Sequence, residues 1–213
     1  MKMLLALALV GTLQAQAAPS PVDMFYNPAG GPTQPVGQLA EANRLRVIAV
    51  VHPFPPYGNV GIHYWFEDDG GARLTEAQAA TLQVPLTLHV RSNTDGFLTV
   101  WLTGTGSGTQ LTPAQERGHP LAVGAEYVVP DRIQFGGGDS AVRLILLFSR
   151  SQTEQAKDPA HASQRLQTFT GRMAPDGLPQ LVRGESGTPG QVGTYVVNRR
   201  GSPIGAEISL RLR

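Results

Sequence analysis

The chain has 213 residues with 25 glycines, 17 prolines and no cysteine, and its 17 basic and 16 acidic side chains nearly cancel. That length supports one good core, and near-neutrality leaves no overall electrostatic footprint for nucleic acid or an anionic membrane. Without cysteine there is no disulfide framework, and many turn formers with only 15% charged residues favour an all-β domain over a helical bundle.

Lys2 precedes an apolar run, Met3 to Val10, and Ala15-Gln16-Ala17 follows as an A-x-A site. This pattern predicts a secretory signal peptide over residues 1–17, because signal peptidase accepts only small residues at its cleavage pockets. The run is far short of the roughly 20 residues that span a bilayer, so no transmembrane segment is expected in the mature chain. Removing Lys2 balances the remaining charges, and the lack of a cysteine argues against a lipid anchor. The expected location is periplasmic or extracellular.

Residues 18–43, with Pro19, Pro21, Pro28, Pro32 and Pro35, read as a flexible leader. Arg44 to Val51 is the first strand candidate, ended by the Pro53-Phe54-Pro55-Pro56 stretch. Ile62 to Glu67 is the second, turned by Asp68-Asp69-Gly70-Gly71. Leu74 to Leu82 reads as a helix with Thr75 as N-cap. Val84, Leu86, Leu88 and Val90 alternate with polar residues, and Phe97 to Leu102 forms another strand beyond Asp95-Gly96. Two alternating runs joined by a D-G turn predict a β-hairpin.

Short strands are expected at Thr109–Leu111 and Glu126–Val129, with a loop over Pro113–Gly124 between them. Val142 to Phe148 is nearly all apolar and reads as a central strand buried on both faces; a core helix is the alternative. Residues 151–190 turn polar and Pro/Gly-rich and read as a linker-like insertion with one helical turn near Ala162–Leu166. Thr194–Asn198 and Glu207–Arg213 close the chain, the latter with Ile208, Leu210 and Leu212 on one face.

Chemical motifs fail at specific positions. A nucleophile elbow needs G-x-S-x-G, but Ser107 is flanked by Thr105 and Thr109, and Ser186 has Thr188 for its second glycine. Gly104, Gly106 and Gly108 lack the third glycine and following helix of a dinucleotide loop. No two of His52, His63, His89, His119 and His161 stand at i, i+4, so no metal pair is expected, and Asp68-Asp69-Gly70 reads as a turn. His89 falls on the non-core face of its strand, where a solvent-facing side chain is expected.

Aromatic residues supply the candidate site. Leu98, Val100 and Leu102 mark the core face of their strand, which turns Phe97 and Trp101 to the opposite face. Either a second layer or the N-terminal segment covers them, or they form a platform for a flat ligand such as a sugar ring or a peptide.

The order of features over residues 62–150 is similar to a bacterial domain-of-unknown-function family, number 4384. It is carried by His63-Tyr64-Trp65-Phe66-Glu67, Ser92-Asn93-Thr94-Asp95-Gly96-Phe97-Leu98-Thr99-Val100, Gln110-Leu111-Thr112-Pro113, Tyr127-Val128-Val129-Pro130 and Leu147-Phe148-Ser149-Arg150. Phe97, Thr99 and Thr112 stand where that family has other aromatics, as in a distant member. The resemblance implies an immunoglobulin-like sandwich with an accessory or binding role, often beside caspase-like peptidases, protein kinases or envelope proteins, and implies no site residues.

The sequence thus predicts an all-β, immunoglobulin-like antiparallel β-sandwich with one short helix, spanning residues 44–213. The expected function is an exported, non-catalytic binding or structural module of the bacterial envelope, contacting protein or glycan through Phe97 and Trp101 and needing no cofactor. A hydrolase with a non-motif active site would carry paired carboxylates in a cleft. A carrier of a small apolar ligand would enclose a large cavity.

Overall fold

The computed structural model describes residues 18–28, 58–82, 84–103, 108–112, 118–130, 133 and 141–211. The expected signal peptide, the strand expected at 44–51 and the glycine-rich stretch 104–107 lie outside the described residues. In chain order the elements are α1 (Pro21–Tyr26), β1 (Val60–Glu67), β2 (Arg73–Leu74), α2 (Glu76–Ala79), β3 (Thr87–Ser92), β4 (Gly96–Thr103), β5 (Thr109–Gln110), β6 (His119–Leu121), β7 (Glu126–Val128), β8 (Ala141–Ser149), α3 (Pro159–Thr170), β9 (Leu181–Ser186), β10 (Gly193–Asn198) and β11 (Ile204–Arg211).

These strands form two antiparallel sheets packed as a sandwich. One runs β7-β3-β1-β10-β9, with β2 also paired to β1; the other runs β11-β8-β4-β5, with β6 also on β4. Alternation of side chains across a strand decides the inner faces. Ile62, Tyr64, Phe66, Leu88, Val90 and Val196 of the first sheet meet Leu98, Val100, Leu144, Leu146, Phe148, Ile208 and Leu210 of the second. Each large aliphatic side chain buried there contributes about 1.5–3 kcal/mol relative to exposure.

The outer faces are covered as well. On the five-stranded sheet, Trp101, Ile145 and Leu147 lie under Ala162, Leu166 and Phe169 of α3. So β8 is buried on both faces, as its sequence predicts. The helix starts where Asp158 Oδ1 accepts from His161 N–H at 2.7 Å and Pro159 takes the first turn. Ala162, Leu166 and Phe169 then repeat at i, i+4 and i+7 on one face. Residues 151–190 are therefore not a linker-like insertion: they supply this helix and the edge strand β9.

On the six-stranded sheet, Phe25 of α1 packs on Tyr195 and Val197. Ser20 and Asp23 form a reciprocal capping box that starts the helix, so residues 20–26 of the expected leader are an integral part of the sandwich. The expected helix at 74–82 is shorter, Glu76–Ala79, with Thr75 at its N-cap as predicted. The loop expected over 113–124 contains β6.

The expected hairpin is not formed. β3 and β4 belong to different sheets, so Asn93-Thr94-Asp95 is a corner between layers. Asn93 fixes it: its Oδ1 accepts from Gly61 N–H at 2.7 Å, and its Nδ2 donates to the carbonyls of Phe25 (3.0 Å) and Asn59 (3.2 Å). Asp95 Oδ1 accepts from Val123 N–H at 2.8 Å. Gly96 is not among the positive-φ glycines. It is required because a Cβ there would lie 2.5 Å from Phe148 Cζ and 2.8 Å from the Ser149 carbonyl.

One polar cluster ties the layers together. Tyr64 donates to Glu76 Oε2 at 2.5 Å, and Arg183 pairs with Glu76 while donating to Tyr64 Oη (2.7 Å) and to the Glu207 carbonyl of β11 (3.0 Å). Burial, reinforced by the Glu76 charge, holds the Tyr64 hydroxyl well above its ordinary pKa; burial also raises Glu76, against the pull of Tyr64 and Arg183.

Candidate functional site

The start of β4, strand β6 and the end of β8 converge on an open depression of about 460 Å³. Asp95, Gly96, Phe97, Pro120, Leu121, Ala122 and Arg150 line it. Phe97 pairs in register with Pro120 on one side and Ser149 on the other, which sets its side chain beside those two residues. Its carbonyl accepts from Gln155 Nε2 at 2.8 Å, and Gln155 also bonds Thr99 Oγ1. That buried glutamine seals β4 just beyond Phe97, which is itself only partly buried. Arg150 is anchored through its backbone, donating to Ser202 Oγ at 3.0 Å, while its side chain is exposed. The segments Asp95-Gly96-Phe97 and Phe148-Ser149-Arg150, far apart in sequence, thus build one surface with an aromatic ring, a guanidinium and a carboxylate. Such a surface suits recognition: apolar contact from the ring, orientation from two charges of opposite sign.

The two aromatic residues expected to share a ligand face part company here. Trp101 is 4% exposed beneath α3, because the helix that the sequence reading did not extend lies across it. The aromatic platform therefore reduces to Phe97, which stands beyond the edge of that cover.

A second cluster lies on the outer face of the six-stranded sheet. Tyr195 stacks on His63 at 4.2 Å and 5°, His63 meets Trp65 at 4.9 Å, and Trp65 stacks on His89 at 5.1 Å and 16°. Strand register produces the row: His63 is opposite Tyr195, and Trp65 is opposite His89. Arg73 and Arg91 lie over the Trp65 ring at 4.6 and 5.6 Å. His89, expected to face solvent, is buried in this stack and bonds Glu126 Oε1 through Nδ1 at 2.8 Å. The signal was present in His63-Tyr64-Trp65-Phe66, but the pairing that stacks its outward rings on β3 and β10 is tertiary.

The chemistry of His63 follows from its partners. Nε2 lies 3.1 Å from the Val192 carbonyl, an acceptor, so Nε2 carries the proton. Nδ1 is buried without a hydrogen-bond partner, so a second proton there would be uncompensated. Burial accordingly lowers the His63 pKa to about 4, despite the opposing Val192 carbonyl. For Glu126 burial acts upward, but the bond from His89 and the charges of His89, Arg91 and Arg73 outweigh it and leave the carboxyl below its usual range.

Two other sequence candidates, Asp68 and Ser186, form turns. Asp68 Oδ1 accepts from Gly70 and Ala72 N–H, both at 2.9 Å, which makes the turn expected there. Ser186 Oγ accepts from Thr188 N–H at 3.2 Å in the turn after β9. Among the described residues no group of three His, Cys, Asp or Glu is placed to hold a metal ion, and no helix is long and apolar enough to cross a membrane.

Comparison with protein-family models, curated proteins and solved structures gave no match for this chain.

Proposed function

We propose that the protein is an exported, non-catalytic binding module of the bacterial envelope, which contacts protein or glycan through the depression around Phe97. The carrying observation is the contrast along one strand face: Thr99 and Trp101 are buried under Gln155 and α3, whereas Phe97 is only partly buried and lines an open depression with Asp95 and Arg150. A side chain so placed is held by the rigid β4–β8 pair, which lowers the ordering cost of binding. The A-x-A site after an apolar run supports the exported location.

The test is photo-crosslinking of the exported protein in intact cells, together with cosedimentation on purified cell-wall glycan. A photoreactive phenylalanine at position 97 should capture a specific envelope protein, or wild type should sediment with the glycan. Phe97→Ala and Arg150→Ala should then lose that interaction while keeping the melting temperature. Retained binding by both variants would overturn the proposal.

A further inference from the structure

Residues 171–180 join α3 to β9, and they present apolar side chains to solvent. Met173 is 56% and Leu178 is 53% exposed, and Pro175 and Pro179 beside them are exposed as well. The turn is nonetheless fixed. Ala174 N–H donates to the Leu178 carbonyl (2.8 Å), Gly177 N–H to the Ala174 carbonyl (2.9 Å), and Gln180 N–H to the Arg172 carbonyl (3.0 Å). Gly177 supplies the positive φ, +75°, that the tight bend requires. The hydrogen-bonded turn thus holds four apolar side chains exposed to solvent.

Its rim is basic. Arg172 is exposed at the base of the turn, with its guanidinium 5.5 Å from the Phe169 ring. Arg199 pairs with Asp176 at 2.9 Å. Arg199 is thereby tied to the turn, and Arg200, the next residue in the chain, is exposed. Arg172 precedes the apolar turn, Arg199 pairs with its one carboxylate, and Arg200 adjoins Arg199 in the chain. The chain as a whole is nearly neutral, so this positive charge acts locally, within a Debye length of about 8–10 Å.

We propose that this turn docks on the surface of an anionic lipid bilayer, with Met173 and Leu178 entering the acyl boundary and Arg172, Arg199 and Arg200 meeting the headgroups. Aliphatic tips backed by arginines fit the two forces that hold peripheral proteins on membranes, apolar insertion and attraction to anionic headgroups. The attachment is weak and reversible, because only two long side chains enter, and it is independent of the Phe97 depression.

The experiment is flotation of the mature protein with vesicles of phosphatidylglycerol and phosphatidylcholine, against vesicles of phosphatidylcholine alone. The absence of cysteine lets Leu178→Cys carry a single environment-sensitive fluorophore. Expected are association with the anionic vesicles only, loss of it at high salt, and a blue shift of the label. Met173→Ser/Leu178→Ser should abolish flotation, and Arg200→Gln should weaken it by roughly five-fold. Unchanged melting temperatures would show that these exposed changes leave the fold intact. The proposal fails if the protein does not float, if it floats with the label still in water, or if the double variant floats as well as wild type. It fails equally if the label shifts only on adding an envelope protein, which would make the tip a protein contact.

Discussion

Acidification from pH 6.5 to about 4 should remove stability from this fold through His63. The unfolded chain takes up a proton on that imidazole near its ordinary pKa of about 6.5, while the folded chain does so only near 4. Between those values the unfolded state holds more protons, so stability falls as pH falls; above 6.5 and below 4 this residue contributes no slope. A shift of that size at roughly 1.4 kcal/mol per pH unit corresponds to about 3 kcal/mol. His63→Phe keeps an aromatic ring between Tyr195 and Trp65 but cannot titrate. It also loses the bond to Val192 and crowds Gly193, where a Cβ would already be 2.5 Å from His63 Nε2, so its absolute stability should fall. The informative quantity is the slope. Urea unfolding followed by tryptophan fluorescence, repeated across this pH range, gives the free energy of each protein. The wild-type minus variant difference should narrow by about 3 kcal/mol on going from pH 7 to pH 4. Other groups act too, Glu126 in the same direction and Glu76 in the opposite one, but they are common to both proteins and cancel in the difference. Parallel pH profiles would refute the assignment of a neutral, buried His63.

Trp101→Ala should cost about 3–5 kcal/mol, because it empties the space between β4, β8 and α3; a loss within about 1 kcal/mol would show that α3 does not cover the ring. Gly96→Val should cost about 1–3 kcal/mol or more by forcing Cβ into the Phe148 ring, and Gly96→Ala should already destabilise. An alanine variant as stable as wild type in thermal melts would contradict that close approach.

Where a strand's two faces differ, the residues announce it. The alternation of Leu86, Leu88 and Val90, of Leu98 and Val100, and of Ile208 and Leu210 fixed both the strands and their inward faces, since successive side chains point to opposite sides of the pleat. The nearly all-apolar run Val142 to Phe148 likewise announced a strand covered on both faces. The start of α3 was legible too, in Asp158-Pro159 and the spacing of Ala162, Leu166 and Phe169; the polar composition around it hid a local signal that was present. What covers each outer face was another matter. The same Asp95-Gly96 sequence serves a hairpin or a corner, and the choice rests on Asn93 meeting Gly61, Asn59 and Phe25, partners remote in the chain. The burial of His89 required Trp65 and Glu126 beside it, and the separation of Phe97 from Trp101 required Gln155 and α3 across one end of their strand. Local sequence carries the period of a strand because that period is set by the backbone itself. It does not carry strand order, because pairing is decided by side chains that meet only once both sheets have formed.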